Sequence, residues 1–139
     1  MIAVDTNVLV YAHREEYPRH GVAAARIVEL AVGRVPWGVP VFCLGEFVRV
    51  VTHRRVHNPP STLEQAVQFL DRLSESDSFR VLLPEVEYWT DYKDALQTAN
   101  ARGNLAFDAQ LAAVCMRHGA TLLTADRDFA RFSIPTEWL

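Results

Sequence analysis

Lysine is nearly missing from this chain, cysteine is scarce, and no long apolar run occurs. Cys43 and Cys115 stand in unrelated apolar contexts with no Cys-x-x-Cys pair, so they read as buried thiols in a reducing compartment. No apolar stretch approaches the roughly 18 to 20 residues that span a bilayer. The opening Met-Ile-Ala-Val-Asp has neither the basic nor the apolar region of a signal peptide, and a cytoplasmic location is expected. Linkers, repeats and low-complexity stretches are absent, which leaves residues 1–139 as a single domain. There is no Gly-rich phosphate loop and no Ser-His-Asp or Cys-His pairing, so nothing suggests nucleotide-cofactor chemistry or a covalent nucleophile.

What is present is an ordinary globular composition, 50% apolar and 22% charged, long enough to bury about two-thirds of the unfolded surface. A net charge of −3 argues against a generic polyanion binder. Lys93 is the only lysine among fourteen Lys and Arg residues. A GC-rich genome gives such a bias everywhere. Arginine is also the side chain that grips phosphate through two parallel hydrogen bonds and stacks on bases.

Apolar strands alternate with helical segments. Residues 1–5 read as a short buried strand, followed by a turn into 8–12. A helix is expected over 20–32, ended by Gly33. A strand follows over Val39–Phe42, then a helix over 44–56 that stops before Asn58-Pro59-Pro60. Ser61 and Glu64 form a capping-box pattern for a helix to about Ser74. Arg80–Pro84 reads as a third strand. Helices over 87–101 and from near Asp108 to His118 lead to a fourth strand over 120–124, and 132–135 is a short fifth. Non-alternating strands interleaved with helices predict a parallel sheet covered on both faces, one α/β/α domain.

Four acids sit beside the most apolar stretches: Asp5, Glu46, Asp108 and Asp126. In open parallel sheets functional groups gather at the carboxyl ends of the strands. Asp5 directly follows a buried strand, and a carboxylate there needs donors or a cation. Glu46 falls in the first turn of a helix, where the helix dipole alone favours an acid. Asp126 is placed to cap the turn 127–132. Asp108 is equally readable as the N-cap of its helix. Taken together, these separate explanations require four coincidences. A shared site explains them at once.

Carboxylates packed together cannot all ionise without a counter-charge. Mg²⁺ or Mn²⁺, one ion or two, suits such a set, because these hard cations accept a few carboxylates together with waters and a phosphate oxygen. Bound there, the cation lowers the pKa of water and polarises a phosphodiester. Thr6, Asn7 and Thr124 are placed to hydrogen-bond the carboxylates or a substrate phosphate. Asp128 is a further candidate acid.

The blocks Asp5-Thr6-Asn7-Val8-Leu9-Val10, Glu46, Asn104 with Phe107-Asp108-Ala109-Gln110-Leu111-Ala112-Ala113, and Thr124-Ala125-Asp126-Arg127-Asp128-Phe129 resemble, in order, the motifs of PIN-domain ribonucleases. The short chain is similar to the VapC toxins of bacterial toxin–antitoxin pairs. The resemblance covers essentially the whole chain. It implies a PIN-like α/β/α sandwich around a five-stranded parallel sheet of order 3-2-1-4-5. It further implies a Mg²⁺- or Mn²⁺-dependent endoribonuclease that acts on structured RNA (tRNA or rRNA), leaves 5′-phosphate and 3′-hydroxyl ends, and so arrests translation and growth. A homodimer is implied, as is neutralisation by a VapB antitoxin whose tail occupies the active-site groove. By the same resemblance Asp5, Glu46, Asp108 and Asp126 are the metal-binding catalytic acids, which assigns Asp108. Asp128 either joins them or holds the local turn.

Arg14, Arg19, Arg54 and Arg55 are candidate contacts for RNA or antitoxin, although exposed loops account for them nearly as well. His53 and His57, four apart at a helix end, read as a solvated face. Trp37, Trp89 and Trp138 are expected in the core or a dimer interface. Two phosphoryl-transfer rivals fail on single residues. A haloacid-dehalogenase-like phosphatase needs an Asp where Asn7 stands, and both it and a receiver domain need a late lysine. The remaining rival is a non-catalytic PIN-like module that binds RNA or a partner; intact acids argue against it.

Overall fold

The central strand is the first one. In the computed structural model, which describes residues Met1–Leu139, β1 (Ile2–Val4) pairs in parallel with β2 (Trp37–Pro40) on one side and with β4 (Thr121–Thr124) on the other. β3 (Phe79–Leu82) extends the sheet beyond β2, and β5 (Thr136–Trp138) extends it beyond β4. The order is therefore 3-2-1-4-5 with every pair parallel, as the resemblance implies. The chain builds outward from β1 to β3, then crosses back to β4. That reversal puts the topological switch point between β1 and β4.

Six helices cover the sheet: α1 (Thr6–His13), α2 (His20–Val32), α3 (Val41–Val51), α4 (Leu63–Ser74), α5 (Tyr88–Ala99) and α6 (Leu105–His118). α1 packs on α2 and α3, α3 packs on α4, and α5 packs on α6. Because crossovers are right-handed and the direction of travel reverses after β3, the first four helices lie on one face and the last two on the other. The core between them is continuous and centres on Trp37, Phe47, Leu9, Leu122 and Phe129, each with at most 1% exposure. None of the helices is long and apolar enough to cross a membrane.

Several boundaries differ from the sequence expectation. β2 ends at Pro40 and α3 begins at once with Val41, since proline supplies no N–H for a ladder but is well suited to a helix entry. Glu46 consequently lies in the second turn of α3, not the first. α6 starts at Leu105, so Asp108 is inside the helix and caps nothing; the N-cap position belongs to Asn104. α5 closes at Asn100 in the left-handed conformation. The capping box of α4 is formed by Thr62 and Gln65, one residue past the expected Ser61 and Glu64. The fifth strand is Thr136–Trp138 and not 132–135. β3 is an edge strand with Arg80 and Val81 exposed, so it lacks the two-sided burial expected of the sheet.

Candidate active site

Asp5 leaves β1 and becomes the N-cap of α1, where its Oδ1 accepts from the Thr6 backbone N–H at 2.6 Å. Its Oδ2 accepts from Asn7 Nδ2 at 2.5 Å and from Thr124 Oγ1 at 2.6 Å. Asn7 Oδ1 accepts from the Ala125 N–H at 3.0 Å, and Thr124 Oγ1 accepts from the Asp126 N–H at 3.0 Å. The ends of β1 and β4 are thus laced together at the switch point. Thr6 Oγ1 donates to Glu46 Oε2 at 2.9 Å, which ties α3 to the same corner.

The ends of β1 and β4 and the helices α1, α3 and α6 meet around a cavity of about 300 Å³ lined by Asp5, Glu46, Asp108 and Asp126, with Thr6 and Asn7 between them. Asp5 is nearly sealed, at 5% exposure. Glu46 and Asp126 are open to solvent, and Asp108 is intermediate. Asp128 is exposed and outside the cavity wall; its N–H donates to Asp126 Oδ1 at 2.9 Å, which caps the short 3₁₀ turn Arg127–Arg131.

Charge in this corner is poorly compensated. Arg49 approaches Glu46 at 3.6 Å and is the one cation paired with any of the four acids. Burial pushes the Asp5 carboxyl up to about 6 against the lowering effect of the Thr124 and Thr6 bonds, and the charges of Glu46 and Asp108 add to the rise. Burial also raises Asp108 to about 6, helped by Asp126, Asp128 and Glu46. Burial holds the neighbouring Cys43 thiol far above its ordinary value and raises Cys115 to about 12. Both thiols stay protonated and are poor metal ligands.

The donors are all hard oxygens, which fits Mg²⁺ or Mn²⁺ better than a thiolate-seeking ion. No three acids are drawn into a ready-made ligand cage; they line the wall of the cavity. An ion there would be held by a few of these carboxylates, with waters and a phosphate oxygen completing its shell.

Outside the acids, the structure separates the candidates. Arg14 is committed to Glu16, the Ser61 hydroxyl and the Pro59 carbonyl. Arg19 donates to the Leu139 carbonyl at 3.0 Å. Arg54 and Arg55 are exposed beyond the end of α3. His57 is buried, at 5% exposure, which corrects its reading as part of a solvated face; His53 is exposed as expected. Trp37 is core, Trp138 is half-buried under Arg127 at 4.4 Å, and Trp89 is exposed. Two cavity residues escaped the sequence reading, Tyr11 and Tyr17. Tyr11 was discoverable: it lies four residues after Asn7 on α1, hence on the same helix stripe. Tyr17 lies in the connection to α2, where no periodicity points anywhere.

Comparison with known proteins gives a consistent picture. The PIN domain family model matches residues 2–135. Ribonuclease VapC43 of Mycobacterium tuberculosis is 39% identical over 95% of this chain and 90% of its own length. Among solved structures, VapBC2 of Rickettsia felis, bound to a DNA fragment of its promoter, aligns with a TM-score of 0.71 at 20% identity, covering 99% of this chain and 98% of that one. VapC20 of Mycobacterium tuberculosis, a sarcin–ricin loop cleaving toxin, aligns at 0.68 with 21% identity, covering 94% and 93%.

Proposed function

This chain belongs to the PIN-domain family and is similar to VapC ribonucleases along most of its sequence, and from that premise we propose that it is a metal-dependent endoribonuclease toxin acting on structured RNA. Its cation is Mg²⁺ or Mn²⁺, held by Asp5, Glu46, Asp108 and Asp126, with Asp128 contributing charge from just outside. The observation that carries the reading is the convergence of four acids from four separate segments on one cavity. They meet at the sheet edge where such folds place their chemistry.

When bound, the ion acidifies a water and polarises a phosphodiester oxygen. The protein's own part is to hold the acids ready. Asn7 and Thr124 both donate to Asp5 Oδ2 and the Thr6 N–H donates to Oδ1, which holds the carboxylate in one orientation. The Thr6 hydroxyl aims Glu46. Such supporting bonds set the orientation and basicity of ligands. Burial of Asp5 lowers the local dielectric, so its charge acts with little screening. Asp108 makes no side-chain hydrogen bond within the protein, which leaves both its oxygens available.

The partners proposed are an RNA substrate of the tRNA or rRNA class, a second copy of the chain, and a VapB-type antitoxin that presents arginine to the acidic cavity. Purified wild type should cut a structured RNA into discrete products with Mn²⁺ and stop when EDTA is added. Asp5→Asn should leave the RNA whole while keeping the fold by circular dichroism. Equal cleavage by both proteins overturns the catalytic assignment; RNA binding by wild type without cleavage points to a non-catalytic module.

A further inference from the structure

The cavity that gathers the acids also has an aromatic wall. Tyr11 and Tyr17 both line it. Their ring centroids are 5.0 Å apart and their planes stand at 51°, an open V and not a closed stack. Tyr11 comes from α1, one helical turn beyond Asn7. Tyr17 comes from the connection between α1 and α2, where the backbone alone would leave a side chain free to swing.

A second contact removes that freedom. The Tyr17 hydroxyl lies 2.9 Å from His57 Nε2. His57 Nδ1 lies 3.1 Å from the Val50 carbonyl. A carbonyl only accepts, so Nδ1 carries a proton, and in the neutral ring Nε2 is the acceptor to which Tyr17 donates. The imidazole also meets the Tyr17 ring edge-on, at 5.8 Å and 74°. Val50 itself lines the cavity from α3. The path therefore runs from the cavity wall through buried His57 and back to the wall. With its hydroxyl committed to His57, the part of Tyr17 left for a ligand is the ring.

We propose that Tyr17, braced by His57 and flanked by Tyr11, seats a nucleobase of the RNA beside the acids, with His57 as the positioning residue for that wall. The inference rests on the ribonuclease reading and adds to it what the base, as distinct from the phosphate, touches. Phosphate contacts position a strand but say nothing of its bases, whereas an aromatic face accepts any unstacked base. The placement implies that the nucleotide next to the cut is unstacked from its neighbours, so single-stranded loops are favoured over duplex.

The test uses a fluorescein-labelled single-stranded oligoribonucleotide with the intact protein. Affinity is read by anisotropy in Ca²⁺, and kcat and KM are read by cleavage in Mn²⁺. Tyr17→Leu should weaken affinity and raise KM roughly tenfold, the scale of one lost stacking contact, with kcat changed much less. Tyr17→Phe and His57→Ala should each cost a smaller factor, about threefold, and the double variant should cost no more than either, because both remove one brace. Unchanged affinity in Tyr17→Leu at unchanged Tm overturns the proposal. Additive losses in the double variant make His57 merely structural and overturn its positioning role. Should Tyr17→Leu lower the Tm, Tyr11→Leu probes the other half of the same wall by the same criteria. A wild type that binds the RNA with this Tyr17 dependence but never cuts it sinks the catalytic reading and keeps the wall; a wild type that binds no RNA sinks both.

Discussion

Thr124 Oγ1 donates to Asp5 Oδ2 at 2.6 Å, a bond between residues 119 positions apart that joins the two strands at the switch point. The same hydroxyl accepts from the Asp126 N–H, so one fully buried side chain serves two of the four acids. The sheet's reversal and the acid site are in this sense one structure. Moving either strand end would separate the carboxylates.

Thr124→Val keeps the shape of that side chain and deletes its hydroxyl. Asp5 then loses a bond that lowers its pKa, so its proton is held more firmly and competes better with a cation. Mn²⁺ affinity should fall roughly 10- to 100-fold, the usual cost of removing a group that orients a metal ligand. Thr124→Ser should retain most of it. Titrating the Tm with Mn²⁺ checks this, and an undiminished response in the valine variant would show that the bond does not support the site.

Asp5 and Asp108 are both raised from 3.8 to about 6. A raised folded-state value means the folded protein holds those protons more tightly than the unfolded chain does. The stability they contribute is therefore complete below about pH 4 and is lost as the pH climbs through about 6. Asp108→Asn isolates the effect with no hydrogen bond lost. In EDTA at pH 7.5 its Tm should exceed that of wild type by about 3 °C, corresponding to roughly 1 kcal/mol for a half-buried, partly screened group. Near pH 4 the two should melt together. A wild type that melts higher than the variant at pH 7.5 without metal would mean that neither burial nor the neighbouring acids disfavour the Asp108 charge.

Much of this site was legible because its parts sit in local patterns. A carboxylate after an apolar strand is conspicuous, and Asp5 and Asp126 are both of that kind. Two of the failures come from tertiary contact overriding local preference, and a third from a local boundary. Ser61-x-x-Glu64 and Thr62-x-x-Gln65 fit the capping pattern equally well one residue apart. The first is not used because the Ser61 hydroxyl is engaged by His13 at 2.9 Å and Arg14 at 3.0 Å. His57 sits just past His53-Arg54-Arg55 at a helix end and reads as exposed, yet Tyr17, forty positions away, covers it. Glu46 moved back a turn because Pro40 leads straight into α3 without a loop, which also puts Val50 four residues on along the cavity face.

The two cysteines provide a check on how closed the core is near the acids. Cys43 and Cys115 are fully buried with thiols raised by that burial. Both should resist a thiol reagent such as DTNB in the native protein at pH 8, because the thiolate is the nucleophile. Both should react once the chain is unfolded in guanidinium. Rapid labelling of a native thiol would show that the helices around Asp5 open readily.

Two glycines with opposite surroundings test the packing of the sheet. At Gly38 in β2 an added Cβ would run into the backbone carbonyl of Arg80 on β3. A backbone atom cannot rotate away, so the β2–β3 ladder would have to part. Gly45 lies on the exposed side of α3, where an added Cβ meets nothing within 4 Å. Gly38→Ala should therefore cost on the order of 3 kcal/mol or more, as overpacking against a rigid neighbour does. Gly45→Ala should stabilise by roughly 0.5–1 kcal/mol through helix propensity alone. Urea melts of the two variants should move the midpoint in opposite directions at similar slope. A neutral Gly38→Ala would mean that β3 is not held at the observed register, and with it that this edge of the sheet does not fix the entry of α3 and the height of Glu46.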